Sequence, residues 1–307
     1  MKYIIIITGL CCMALFSCKK DTAIGPATDV PADYILPQGD APADANEKIL
    51  SLYNTYGSYF LYNFTQKDFL WVPSTGGSNS KIDTAVLGNP AYTMDMLNFL
   101  HDIWLKFLPE DFKKNQGIPY RVMMADTIKQ YRVGYPPGRE YLYFDYKIVG
   151  KSITFAGMNA SLRTMTPASK VAKRNALIGV IWNYYIQNKI LDVPDSFYDI
   201  SDYVTYPASP INASNPANVD AFRQRGFMPV SYLPNGNPSE WYYGTYSWPQ
   251  AKSNDIATYI TAILTRTDEQ MASYLAYPVI KQKFDLLVNY YKSRYNIDVR
   301  AIANATY

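Results

Sequence analysis

The most specific chemistry in this 307-residue chain is offered by Cys18. It closes the run Leu15-Phe16-Ser17-Cys18. A lipoprotein signal peptidase needs a branched apolar residue three before the cysteine and a small one directly before it, and Leu15 and Ser17 supply both. Upstream, Lys2 provides the positive charge, and Ile4 to Ile7 with Leu10 to Phe16 provide the apolar stretch. That stretch is short of the ~20 residues a membrane-spanning helix requires. Cleavage before Cys18 would leave its thiol to carry lipid and would remove Cys11 and Cys12. No cysteine is then left for a disulfide or a thiolate metal site.

Other catalytic chemistry is scarce. The chain has one histidine, His101. Catalytic zinc sites use His or Cys, commonly two or more, and a serine or cysteine triad would need the same lone imidazole. His101 has Leu97 and Leu105 four residues away on either side, which describes a surface or half-buried helix histidine. The remaining acids of interest are Asp192, Asp195, Asp199, Asp202, Glu240 and Asp255. A carboxylate pair could hydrolyse a glycoside, but no spacing selects one. The three-four spacing from Asp192 to Asp202 is interrupted by Pro194 and matches no calcium loop; helix caps and solvated loops explain these acids better. No glycine-rich phosphate loop or dinucleotide fingerprint is present, so no cofactor is expected.

The chain is rich in aromatic residues, with 29 Tyr and five Trp. Within Glu240 to Pro249 stand Trp241, Tyr242, Tyr243, Tyr246 and Trp248, and a second cluster is Trp182, Tyr184 and Tyr185. Such rings either present flat faces to a sugar or peptide or plug a core. A net charge of +3 without a basic run argues against nucleic acid as a partner.

These residues need elements to hold them. Residues 1–18 read as the signal peptide and 19–45, rich in Pro, Ala and Asp, as a flexible tether. The expected folded domain is 46–307. Apolar spacing predicts a helix from Ala45 to Phe64 and another from Tyr92 to Phe107. Tyr120 to Ile128 reads as a strand. Tyr141 to Val149 and Ser152 to Ala156 flank Gly150-Lys151 as a hairpin. Thr166-Pro167 opens a helix that runs to Lys189, Asp192 to Ser247 reads as loop, and helices follow at 254–264, 268–275 and 279–295. The fold class is α+β, predominantly helical with a small sheet.

Four stretches resemble the zinc-binding metallopeptidase lipoproteins associated with nutrient-import loci. They are I-L-S-L-Y-N-T-Y-G-S-Y-F-L-Y from Ile49, N-F-L-H-D-I-W-L-K-F-L-P with the following I-P-Y-R-V-M-M, the helix ending Q-N-K at Lys189, and F-D-L-L-V-N-Y-Y-K-S-R-Y-N-I-D-V from Phe284. R-G-F-M-P-V-S-Y at Arg225 to Tyr232 also resembles a turn that precedes the family's third-ligand helix. The resemblance implies a zincin-like fold. It also implies H-E-x-x-H on the helix that ends with Q-N-K, where two imidazoles one turn apart grip zinc and the glutamate acts on zinc-bound water. Those positions here are Gly179, Val180 and Asn183, none of which can do the work. Of the family's acidic E-D-F-A-E motif, Asn254-Asp255-Ile256-Ala257-Thr258 keeps only Asp255.

The expectation is therefore a degenerate member without metal or catalytic residues. The resemblance places it on the outer-membrane surface, held by its lipid. There it would be accessory to a TonB-dependent transporter of the starch-utilisation type and that transporter's substrate-binding lid lipoprotein, with an oligosaccharide or peptide as ligand. The ligand candidates are Trp182, Trp241, Tyr242, Tyr243, Tyr246 and Trp248. The alternatives are a hydrolase, peptidase or glycosidase, with a rebuilt non-zinc site, and a purely structural subunit. Anchoring makes the first testable outcome. Two or three acyl chains hold far better than one, at ~0.8 kcal/mol per buried methylene, so Cys18→Ala should move the protein out of the outer-membrane fraction. A variant still firmly membrane-bound would overturn the lipidation.

Overall fold

A computed structural model describes residues 32–70, 83–208, 211, 214–228 and 251–307. Cys18 and the Trp241–Trp248 run lie outside the described residues. The folded unit is Leu36–Tyr307. It begins earlier than the composition suggests. The Tyr62 hydroxyl accepts the Asp40 and Ala41 N–H groups, each at 3.1 Å, and Ala45 is fully buried. Residues 38–45 are thus bound to the domain rather than part of a tether.

The helices of eight or more residues among those described are α1 (Ala43–Tyr56), α2 (Thr93–Ile103), α3 (Pro167–Gln187), α4 (Pro216–Gln224), α5 (Ala251–Thr265), α6 (Asp268–Leu275) and α7 (Pro278–Tyr295). The strands are β1 (Tyr59–Leu61), β2 (Asp83–Leu87), β3 (Arg121–Tyr131), β4 (Tyr141–Phe144), β5 (Tyr146–Val149) and β6 (Ser152–Phe155). The class is mixed helix and sheet, as expected.

β3 organises the sheet. Its first half lies between β1 and β6, parallel to both, with Arg121 opposite Tyr59 and Ser152. β5 closes that side as a hairpin on β6, turning at Gly150 as the sequence indicates. All of β1 and β6 and the first five residues of β3 are buried, as parallel strands covered on both faces must be. The second half of β3 pairs antiparallel with β2 and β4 instead. One core joins this sheet to α1, α2, α3, α5 and α7.

Several boundaries differ from the periodicity, each for a local reason. The first helix stops at Tyr56, not Phe64, because Gly57 at φ 69° turns left-handed and its N–H caps Tyr53 O. Glycine reaches that conformation without strain. Tyr59 to Leu61 then extends as β1, with parallel pairing overriding the helical spacing. The expected strand 141–149 breaks at Asp145, so that β4 and β5 serve different partners. The Asp192 to Ser247 region contains α4, begun by Pro216 in its first turn. Thr166 caps α3 and Pro167 starts it, as expected.

The tyrosines inside this core give the fold an alkaline limit. Burial pushes the phenols of Tyr185 and Tyr259 well up and that of Tyr184 to about 12. Tyr291 moves the same way for the same reason. A phenol held above its unfolded value of ~10 adds stability that is complete below that pH and lost as pH rises through the folded value. Denaturant stability should therefore hold level up to about pH 10 and fall from there towards pH 12. Phenolate absorbance should show an exposed class and a class that ionises only with unfolding. A single class titrating near pH 10 in a folded protein would contradict this core.

Candidate functional site

Helix α3 carries the positions where the resemblance implies zinc ligands. Its core stripe is Arg174, Leu177, Ile178, Ile181, Trp182 and Tyr185, all buried at the three-four spacing of one helix face. Asn183 is exposed, and Gly179 and Val180 are partly so. At 3.6 residues per turn these three lie on the side turned away from the stripe. Trp182 is fully buried, its ring edge-on to Tyr291 of α7 at 5.4 Å between centroids. It belongs to the core and offers no face to a ligand, which corrects its place among the ligand candidates. Its indole N–H and the Tyr291 hydroxyl are both buried with no hydrogen-bond partner among the described residues.

Helices α3 and α5 pack together. The acid on α5, however, faces a different neighbour. Asp255 is 2% exposed and forms an ion pair with the fully buried Lys283 of α7. Its Oδ2 also accepts the Tyr203 hydroxyl at 2.5 Å. The Lys283 ammonium donates further to Ser201 Oγ at 3.0 Å, to Gly226 O at 3.2 Å and to the Tyr203 oxygen at 3.2 Å. Four rings enclose it. Its nitrogen lies 4.5 Å from the centroid of Phe197, 4.8 Å from Tyr259, 5.1 Å from Phe227 and 5.4 Å from Tyr203, all within cation–π range. Burial pushes the Asp255 carboxyl up and the Lys283 ammonium down, and each is opposed by attraction to the other.

This constellation has the residue types of a serine–lysine dyad, but its hydrogen bonds run the wrong way. Ser201 Oγ donates to Arg225 O at 2.9 Å and accepts from Lys283. A serine nucleophile would have to donate to a neutral lysine base. Lys283 with its acceptors is an ammonium that ties elements together. Lys283 was legible in principle. It occupies a core position in the α7 stripe Ile280, Lys283, Phe284, Leu287, Tyr291, where a lone cation implies a buried anion.

The other candidates are dispersed. His101 is exposed on α2, with Nδ1 3.5 Å from Asp102 Oδ1. Asp202 accepts the Val204 and Thr205 N–H groups. Those bonds and the Thr205 hydroxyl hold its carboxyl down to about 2, which is loop chemistry. Asp192 meets the Tyr295 hydroxyl, and Asp195 begins a short turn of helix. No group of three or more His, Cys, Asp or Glu positioned to hold a metal occurs among the described residues. Glu240, Trp241, Tyr242, Tyr243, Tyr246 and Trp248 lie outside them.

No protein-family profile matches the sequence, and no curated protein matches it. Among solved structures, the chain is similar to a crystal structure described as a "putative zinc-binding metallo-peptidase" from Bacteroides caccae. The two are 14% identical, with a TM-score of 0.46, over 86% of this chain and 92% of that one.

The buried pair yields a mutational cycle. Lys283→Met or Asp255→Leu alone strands a charge in the interior and should cost about 3–5 kcal/mol in denaturant unfolding. The double variant, apolar on both sides, should be more stable than either single one. Single variants that lose less than about 1 kcal/mol would show the pair to be dispensable.

Proposed function

We propose that this chain is a lipid-anchored outer-membrane surface protein that serves nutrient import by binding rather than by catalysis. In this reading its scaffold is a zincin-like metallopeptidase fold whose zinc site has been lost. It works beside a TonB-dependent transporter and its lid lipoprotein, on a glycan or peptide nutrient. The observation that carries the reading is the commitment of Asp255. The one acid retained from the metallopeptidase motif is bound to Lys283, while Gly179, Val180 and Asn183 on α3 offer neither a metal ligand nor a base. The lipobox at Cys18 supports the location. No helix among the described residues is long and apolar enough to cross a membrane.

A binding role also needs a surface. Most of the exposed large apolar side chains among the described residues sit on or beside the ribbon of β2, the second half of β3, and β4. They include Val86, Leu87, Tyr131, Val133, Leu142 and Tyr143. Val133 is 86% and Tyr143 65% exposed. Tyr131 and Tyr141 pair edge-on at 5.5 Å, and Lys129 lies over Tyr141 at 4.6 Å. Exposed aromatic surface of this kind marks an interaction site more often than chance exposure does, and buried at an interface such rings commonly contribute ~2 kcal/mol or more each.

The experiment is affinity purification of the tagged full chain from native outer membrane. The expected result is a co-purifying transporter and lid lipoprotein. Val133→Ser with Tyr143→Ser should lower that yield several-fold while the melting temperature stays within a few degrees. A wild-type chain that brings down neither protein would overturn the import reading. A double variant that is stable and still captures both would remove the ribbon from it.

A further inference from the structure

A cavity of about 440 Å³ opens where the parallel strands begin. Its wall is assembled from four separate segments. These are the turn from α1 into β1, the approach to β3, the β5–β6 turn, and the end of α3. The volume falls within the roughly 300–1,000 Å³ of small-molecule sites and suits a ligand of one or two sugar rings.

The wall is rich in donors. Lys114 and Lys151 reach it, and no carboxylate is among the described residues that line it. Lys151 stands on the exposed hairpin turn and forms no ion pair among the described residues. Lys114 is exposed as well, and Glu110, on which its charge acts, is engaged by Lys113 and the Tyr56 hydroxyl. Tyr184 also lines the cavity. It is 2% exposed, and its hydroxyl has no hydrogen-bond partner among the described residues, yet it is not sealed among the orphaned buried atoms. Burial keeps that phenol protonated to about 12, so at neutral pH it can donate. A core tyrosine that leaves its hydroxyl unpaired forfeits stability unless something accepts from it.

The rest of the wall is mixed. Tyr56 and Tyr120 add aromatic rings, and Gln116 and Asn188 add amides. The backbone is left-handed at Gln116, φ 69°, and at Lys189, φ 57°, which adjoins two lining residues. Non-glycine residues rarely adopt that conformation, and such positions gather at ligand sites.

We propose that this cavity binds an acidic saccharide, with the ring carboxylate of a hexuronate held by Lys151, Lys114 and the Tyr184 hydroxyl. Ammonium and phenol donors without a competing carboxylate select an anionic acceptor. Tyrosine rings and side-chain amides suit the faces and hydroxyls of a pyranose. The proposal names the ligand class for the binding protein proposed above and rests on that reading.

The test is calorimetric titration of the full chain in detergent with digalacturonate, maltose and inorganic phosphate. Digalacturonate should bind at least tenfold more tightly than the other two, and added salt should weaken it. Lys151→Gln should lower its affinity about tenfold. Tyr184→Phe, which keeps the ring, should lower it several-fold. If Tyr184→Phe does not fold, Lys151→Gln and Lys114→Gln decide. The proposal is overturned if digalacturonate does not bind, if maltose or phosphate binds as tightly, or if the folded variants keep wild-type affinity. Affinity is measured on the isolated chain, so a failure here leaves the co-purification result standing, and the reverse also holds.

Discussion

The ion pair between Asp255 and Lys283 is the contact through which the C-terminal half of the domain is assembled. Both side chains are almost fully buried, and removing two charges from water costs several kcal/mol per ion unless each is thoroughly engaged. The chain meets that cost by bringing four segments to one point. The segment at Ser201 and Tyr203 supplies hydroxyls. The turn at Gly226 supplies a carbonyl, which also receives the Tyr259 hydroxyl at 2.8 Å. Helices α5 and α7 supply the charges. Gly226 sits at φ 86°, and a Cβ there would lie 2.6 Å from Val279 Cγ1 and 2.8 Å from Ser201 Oγ. The close approach that lets its carbonyl reach Lys283 is therefore open only to glycine.

A second buried cation, Arg174, ties α3 to residues 302–305. Arg174 of α3 donates to the carbonyls of Ile302 and Ala305 through Nη1, at 2.7 and 2.9 Å, and to Ala303 through Nη2 at 3.2 Å. These are the last carbonyls of the short helix Val299–Ala303 and its exit, groups that a helix terminus leaves unsatisfied. Helix α3 is thus fixed by its core stripe on one side and by Arg174 at the chain's end. With both constraints in place the helix cannot rotate to turn Gly179, Val180 and Asn183 inwards. Their exposure follows from the packing.

Much of the fold was legible because the signals were local. Thr166-Pro167 and the Gly150 turn act within a few residues, and each marks an element that forms. β2 was missed because its partner is the distant second half of β3, and Tyr59 to Leu61 was misread because parallel pairing acts across some 60 residues. The site was less legible. Asp255 stood out as an acid, but its role depends on Lys283, 28 residues on, and the apolar stripe of α7 hides that lysine among core residues. The aromatic wealth was visible and its division was not. Trp182, Tyr185 and Tyr291 pack inwards, whereas Tyr131 and Tyr143 face solvent. Sequence position does not distinguish the two groups; a place on the second half of β3 or its partner β4 does.

That division has a mechanical origin in β3. Its first half is a central strand, flanked on both edges by parallel neighbours and covered by helices. Substitutions there are felt throughout the core. Its second half leaves the core and is bordered only by β2 and β4, so its side chains, apart from Ile128, are at least partly exposed. One continuous strand thus links a rigid interior to a surface free to change. The exposed side chains of that second half are positioned by backbone hydrogen bonds to two neighbours, yet their identity is not constrained by packing. A protein that binds through such a surface can change partner or ligand without repacking its core. The cavity at the opposite end of the same strands has the complementary property. Its wall is drawn from four segments anchored in the core, with Tyr184 itself a core residue, so its shape is set by the fold and its selectivity by the few donors at its rim.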